Sequence, residues 1–166
     1  IGNEDCRQYP QGNYKPIGIL QTFGEDKATL WGLMTGSYRK NKSGGVLRKN
    51  IGSINNEINI ETNGTFIEKP EDGGIIQTID RLRIVNYAHD PGYYNDADKC
   101  QWGIGAFAPG TNSFPEGNCS NWGNPFAELM LECYRYFAGA SPTSSFAADD
   151  SGLIAGLNSQ TSWKNP

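Results

Sequence analysis

The sequence predicts an α/β fold, and three observations carry the prediction. An apolar run with aromatic residues extends from Ala28 to Tyr38, two stretches near Ile75 and Asn124 repeat apolar residues at helical spacing, and turn formers separate them. A strand as apolar as 28–38 has two faces to bury, and helices joined to it by crossovers between parallel strands are the usual cover. The expected architecture is therefore a central sheet containing 28–38, with helices near Asn13, Ile75 and Asn124 packed on it and long loops inserted between.

The elements follow in chain order. NYKPIGILQTF, from Asn13 to Phe23, reads as a short helix opened by Pro16 in its first turn. ATLWGLMTGSY is the buried strand. The next residues, RKNKSGG, form a turn with a solvated basic tip at Arg39, Lys40 and Lys42, and VLRKNI then either returns as a hairpin or enters a crossover. INNEINI, from Ile54 to Ile60, fits a weak helix or a strand, and Asn63-Gly64 signals a turn. Ile75, Ile76, Ile79, Leu82 and Val85 mark an amphipathic helix. In the last helix Asn124 is the expected N-cap and Pro125 the first helical residue. Phe126, Leu129, Met130, Cys133 and Phe137 form its core stripe, and Gly139 closes it in the left-handed conformation. Phe137→Ala should then cost about 3 to 5 kcal/mol. Glu128, Glu132 and Arg135 fall on the opposite, solvated side, with Glu132 and Arg135 spaced for an ion pair. Residues 140–166 read as a small-residue linker and tail.

Length and composition narrow the function classes. The 166 residues suffice for a single domain, with 37% hydrophobic residues, 21 glycines and 11% aromatics, which suits a globular chain with long ordered loops. A net charge of −4 with scattered Lys and Arg gives no footprint for nucleic acid. No run is apolar and long enough for a membrane span. The sequence starts at Ile1 and stops at Pro166, as a processed chain or a piece of a longer one would.

Cys6, Cys100, Cys119 and Cys133 form no C-x-x-C pair, so disulfides are favoured over a metal centre. Cys100 and Cys119 bracket a loop of turn formers, and a staple there would offset about 3 kcal/mol of ordering entropy. That pairing implies an oxidising compartment. Cys133 lies on the helical stripe as a buried thiol, and Cys6 has either Cys133 or a cysteine outside this sequence as partner.

Catalytic patterns are weak, and a non-enzymatic chain is expected. His89 is the sole histidine and sits in turn chemistry with Asp90 and Pro91, with no G-x-S-x-G elbow in the chain. Asp150-Ser151-Gly152 matches the aspartic-protease triplet but occurs once, behind small residues rather than an apolar strand. Asp90, Asn95, Asp96 and Asp98 follow no EF-hand spacing and read as an acidic turn, so no metal is assigned. Tyr93, Tyr94, Trp102 and Phe107 are the candidate binding residues, because the loop from Tyr87 to Gly117 gathers aromatic rings, turn residues and the expected staple. An extracellular carbohydrate-binding module stacking sugars on these rings is the alternative function.

Taken together, three motifs in fixed order resemble the PilC/PilY family of type IV pilus tip adhesins and biogenesis factors. They are Cys6 followed by Asn13, Tyr14, Lys15 and Pro16; Gly44, Gly45 and Arg48 in GGVLR; and Trp122, Gly123, Asn124 and Pro125 with Glu128, Glu132 and Arg135 in WGNPFAELMLECYRYFAG. The closing W-K-N-P is similar to that family's W-x-x-P. The resemblance implies a non-enzymatic protein at the bacterial cell surface, exported through the periplasm. Its implied partners are minor pilins or the pilus tip and a host-cell or abiotic surface. It also implies a place for residues 1–166 within an N-terminal von Willebrand factor A-like region. That fold's D-x-S-x-S metal motif is missing here, so no cofactor is expected in this piece, and calcium is expected only elsewhere in a full-length member.

Overall fold

The computed structural model describes residues 5–25, 29–94, 115–146, 149–157, 159 and 162–166, with backbone only at 93 and 94. It is a mixed α/β fold. Among the described residues the strands form three two-stranded antiparallel sheets, and the expected central sheet with parallel crossovers is not formed. The reason lies in the connections. Residues 36–45 are too few for a crossover, so β3 (Trp31–Thr35) and β4 (Val46–Gly52) close as a hairpin, with Met34 opposite Leu47 and Thr35 opposite Val46.

The first hairpin pairs β1 (Cys6–Gln8) with β2 (Tyr14–Pro16), Arg7 opposite Lys15. Pro16 thus ends an edge strand, where a missing N–H costs nothing, instead of opening a helix. Helix α1 (Ile19–Gly24) begins later, after Gly18, whose N–H is accepted by the Gln21 side chain at 3.0 Å. Residues 54–60 resolve into a 3₁₀ turn at Ile54–Asn56, capped by Ser53 Oγ, followed by a bridge from Ile58 to Phe66. The Asn63-Gly64 turn forms as expected. Gly64 has φ +70, and a Cβ there would lie 2.4 Å from the Tyr9 ring. Tyr9, Ile54, Ile58 and Ile75 make one apolar core, flanked by Leu20, Trp31 and Leu33.

Helix α2 (Ile75–Arg81) is shorter than its apolar pattern, because Leu82 turns to extended backbone with ψ 126 and ends the helical run. A two-residue hairpin, β5 (Tyr87–Ala88) with β6 (Tyr93–Tyr94), follows.

Helix α3 (Phe126–Phe137) exists as expected and Gly139 closes it with φ +69. Two details differ. Pro125, not Asn124, occupies the N-cap. The helix is also rotated from the predicted stripe: Phe126 and Phe137 are 64% and 68% exposed, whereas Glu132 and Tyr136 are buried and Leu129 and Cys133 half-buried. Positions 129, 132, 133 and 136 still follow the i, i+3, i+4, i+7 rule. Polar partners chose the face. Glu132 accepts from the Thr143 amide at 3.0 Å and the Thr143 hydroxyl at 2.5 Å, and Tyr136 Oη accepts from the Ile51 amide at 2.9 Å. Glu132 also pairs with Arg135 Nε at 3.3 Å, the expected ion pair.

The segment expected to be a linker and tail carries interior residues. Asp150, Ile154 and Leu157 are buried, and the last two join Val85 in a second apolar core with Tyr38 and Leu153 at its edge.

Candidate functional site

Strand β4 is the spine of the molecule. Val46, Leu47, Arg48, Lys49 and Asn50 are all buried, so three polar residues in a row have no face toward water and each requires a partner. Arg48 Nη2 meets Asp150 Oδ2 at 2.6 Å, and Lys49 Nζ meets Glu57 Oε1 at 3.1 Å, all four side chains being fully buried. Asn50 Oδ1 accepts from the Lys164 amide at 2.8 Å. The Asp150 carboxylate also accepts from the Ser37 hydroxyl at 2.9 Å and the Tyr38 amide at 3.0 Å. It therefore joins β4, the end of β3 and the C-terminal segment in one charged knot.

The glycines before β4 admit the helix. A Cβ on Gly45 would lie 3.2 Å from Glu132 Cγ and 3.3 Å from Leu129 Cα, so α3 rests directly on the strand's entry. A Cβ on Gly44 would stand 2.5 Å from the Lys40 carbonyl oxygen. The turn at 39–43 exposes Arg39, as its charge suggested, but it is anchored to the fold by its other residues. Asn41 is buried, its carboxamide donating to the carbonyls of Asn118 (2.9 Å), Cys119 (3.0 Å) and Trp122 (2.6 Å) and accepting from the Gly117 amide at 3.0 Å. Lys42 N and Ser43 Oγ both donate to Glu116, at 2.8 and 2.7 Å. Burial works to raise the Glu116 carboxyl, but these two bonds and the nearby lysines win and hold it below the usual carboxylate range. Gly123, at φ +137, passes so close that a Cβ would sit 2.0 Å from the Asn41 carbonyl oxygen.

Between these elements lies a cleft of about 470 Å³, bounded by residues 35–38, residues 82–84 and residues 120–123. That volume is within the range of ligand sites. Its walls are tied from behind. Tyr38 Oη donates to the Arg83 carbonyl at 2.7 Å and accepts the Arg83 amide at 3.2 Å, and the Asn121 carboxamide bonds the Val85 amide and carbonyl at 2.9 and 2.7 Å. Trp122, which lines the cleft, is 43% exposed.

The predicted site residues divide. The side chains of Tyr93 and Tyr94, and all of Trp102, Phe107 and Cys100, lie outside the described residues, as do Asn95, Asp96 and Asp98. Cys119 is buried with a left-handed φ of 51, and Cys6 and Cys133 carry free thiols. Burial, then the neighbouring Glu132, pushes the Cys133 thiol up. His89 is exposed, its ring edge-on to Tyr87. No group of His, Cys, Asp and Glu able to hold a metal occurs among the described residues. Asp150 of the protease-like triplet is the Arg48 partner. Of the family-motif residues, Gly44, Gly45, Arg48, Gly123, Pro125, Glu128 and Arg135 gather around β4 and α3, whereas Asn13, Tyr14, Lys15 and Pro16 belong to the separate first hairpin. Sequence reasoning passed over Asn41 and Asn121, and it placed Glu132 on the solvated side of its helix instead of in the interior. Only the asparagines' place in tight turns hinted at them.

A family model described as PilY1 homolog, second domain, matches residues 31–166. The chain belongs to the PilY1 family. It is 37% identical, over 175 aligned positions, to the type IV pilus biogenesis factor PilY1 homolog of Xylella fastidiosa (strain Temecula1 / ATCC 700964), an alignment covering 100% of this chain. The chain spans 11% of that relative's length. No solved structure matches it. In this PilY1-family domain GGVLR and WGNP are thus packing motifs: they let α3 and residues 117–123 close on β4. Among the described residues no helix is long and apolar enough to cross a membrane.

Proposed function

We propose that this domain is a non-enzymatic binding and assembly module of a type IV pilus-associated protein, a biogenesis factor and adhesin at the pilus tip. The observation that carries the reading is the alignment of the whole chain with a relative named as a type IV pilus biogenesis factor. Its proposed partners are minor pilins or the tip itself on one side and a host-cell or abiotic surface on the other. Its proposed place is the bacterial cell surface, reached through the periplasm. The non-enzymatic part draws support from the buried ionised groups, since Arg48 pairs with Asp150, Lys49 with Glu57 and Glu132 with Arg135 within the fold. Pairing of Cys119 with Cys100 belongs to the same reading. It is supported by Cys6 and Cys133 being free thiols while Cys119 is not. Calcium is assigned to other parts of the full-length protein by resemblance alone. The antiparallel strand pairs and the second-domain family match favour a small domain beside a von Willebrand factor A-like region over a portion of that region's own sheet.

The carbohydrate-binding alternative depends on rings outside the described residues and gains no observation. An in-frame deletion of residues 31–166 from the full-length protein, with surface piliation and attachment measured separately, tests the proposal. Loss of either is expected. Wild-type piliation together with wild-type attachment would overturn it.

A further inference from the structure

Helix α3 presents its apolar side to water. Its exposed residues are Phe126, Ala127, Met130, Leu131, Tyr134 and Phe137, whereas its three charged residues, Glu128, Glu132 and Arg135, are buried or half-buried. At 3.6 residues per turn the exposed six lie within about 140° of arc, a stripe as wide as those that normally face a core. Counting a whole ring at roughly 200 Å², the stripe offers water on the order of 600 Å² of apolar surface, the upper end of what an ordinary monomer shows. At Phe137 it runs on into a cavity of about 290 Å³ lined by residues 30–34, Leu47, Ile51, Cys133, Tyr136 and Phe137, none of them charged.

We propose that the polypeptide following Pro166 in the full-length protein folds onto this face and seats an apolar side chain in the cavity. Three rings in series set where that polypeptide starts. Trp163 meets Tyr136 edge-on with centroids 5.5 Å apart, and Tyr136 meets Phe137 edge-on at 6.1 Å. The Lys164 amide is held by Asn50 at 2.8 Å, and a Cβ on Gly139 would lie 3.4 Å from Asn165 Oδ1. Exposed Pro166 therefore follows residues fixed at the C-terminal end of α3, beside the last ring of the stripe. Enough polypeptide exists to cover it. The family match is to a second domain, and the chain spans 11% of its relative's length. One preceding domain of ordinary size, roughly 50–250 residues, does not fill the remainder, so most of that length follows. A preceding domain is joined instead through the first hairpin, whose Tyr9 belongs to the core of Ile54 and Ile75.

Area and tethering select this occupant over a second copy. Matched by an equal partner surface, the face buries about 1,200 Å² in total, inside the range for domains of one chain and at the lower limit for partners that meet freely. A tethered segment also meets the face at millimolar effective concentration. The contact stabilises the assembly of domains rather than this domain's own fold, in which the exposed rings bury little.

The test uses the full-length protein. Phe137 and Phe66 are 68% and 57% exposed in this domain, so hydroxyl radicals should modify them alike unless something covers one. Phe137 is expected to react roughly fivefold or more slowly than Phe66, as a ring in the core of an interface does. Photocrosslinking identifies the cover. Tyr134→p-benzoylphenylalanine should join to sequence after Pro166 in the same molecule, with no gain of mass on a denaturing gel, and Phe66→p-benzoylphenylalanine should give no such adduct. Equal reactivity of the two phenylalanines sinks the proposal. An adduct from position 134 to sequence before Ile1, to a second copy at doubled mass, or to nothing in the protein does the same. None of these readouts involves pili, so this inference and the piliation test of the domain deletion fall separately.

Discussion

Strand β4 and the outer face of α3 reverse the usual arrangement of a small domain. The strand buries Arg48, Lys49 and Asn50, while the helix, packed on the strand's entry, leaves Phe126, Met130, Leu131, Tyr134 and Phe137 exposed. The strand shows that charge can be interior when every ionised group has a fixed partner. The helix shows that hydrophobicity alone does not set the buried face. Glu132 and Tyr136 have partners on β4 and at Thr143, and no rotation of α3 that buried Phe137 and Phe126 instead would keep them.

The sharpest way to break the comparison is to remove one member of a buried pair. Arg48→Ala, which leaves the Asp150 carboxylate unpaired in the interior, should cost about 3 to 5 kcal/mol, measured by urea denaturation. A loss under about 1 kcal/mol would mean that the knot is solvated. Gly123→Ala comes next. Its Cβ would meet the Asn41 carbonyl at 2.0 Å in a backbone conformation that alanine rarely adopts. Destabilisation of about 2 to 4 kcal/mol is expected, with the near-ultraviolet signal of Trp122 altered. On the helix side, Phe137→Ala should cost less than about 1 kcal/mol, because a ring 68% exposed loses little burial; a larger loss would return the face to the core.

A smaller effect is read by pH. Burial, and then the hydrogen bond to Glu25 at 2.5 Å, pushes the Tyr9 phenol up to about 12. The folded value lies above the unfolded one near 10, so this contribution is whole below about pH 10 and is lost as pH rises toward 12. Tyr9→Phe should flatten the alkaline decline of stability, and an unchanged slope would remove Tyr9 from it. The mildest check uses the thiols: exposed Cys6 should react with iodoacetamide before half-buried Cys133, whose thiol is pushed up.

What the sequence revealed follows physical range. The existence of α3, its closure at Gly139, the Asn63-Gly64 turn and the strand at Trp31 were legible because spacing and turn chemistry are local signals. The family was legible because GGVLR and WGNP keep fixed spacings. The rotation of α3 was not, since Thr143 and Ile51 decide it from elsewhere in the chain. Nor was the cleft, which depends on Asn121 reaching Val85 and Tyr38 reaching Arg83. The solvated reading of the 39–42 turn held for exposed Arg39 but missed the anchoring of the turn for the same reason, because Asn41 and Ser43 answer to residues 116–122.

The pairing of Arg48 with Asp150 also constrains the order of assembly. The two are 102 residues apart in the chain. A ribosome delivers Arg48 well before its counter-ion, and until Asp150 arrives the centre of β4 has nothing to neutralise it. Contacts of such long separation form late and slow folding, because the loop between them must be closed first. The β3–β4 hairpin can form early, but its burial waits for the end of the chain, so a copy truncated before Asp150 should remain open to proteases however complete its strands and helices are.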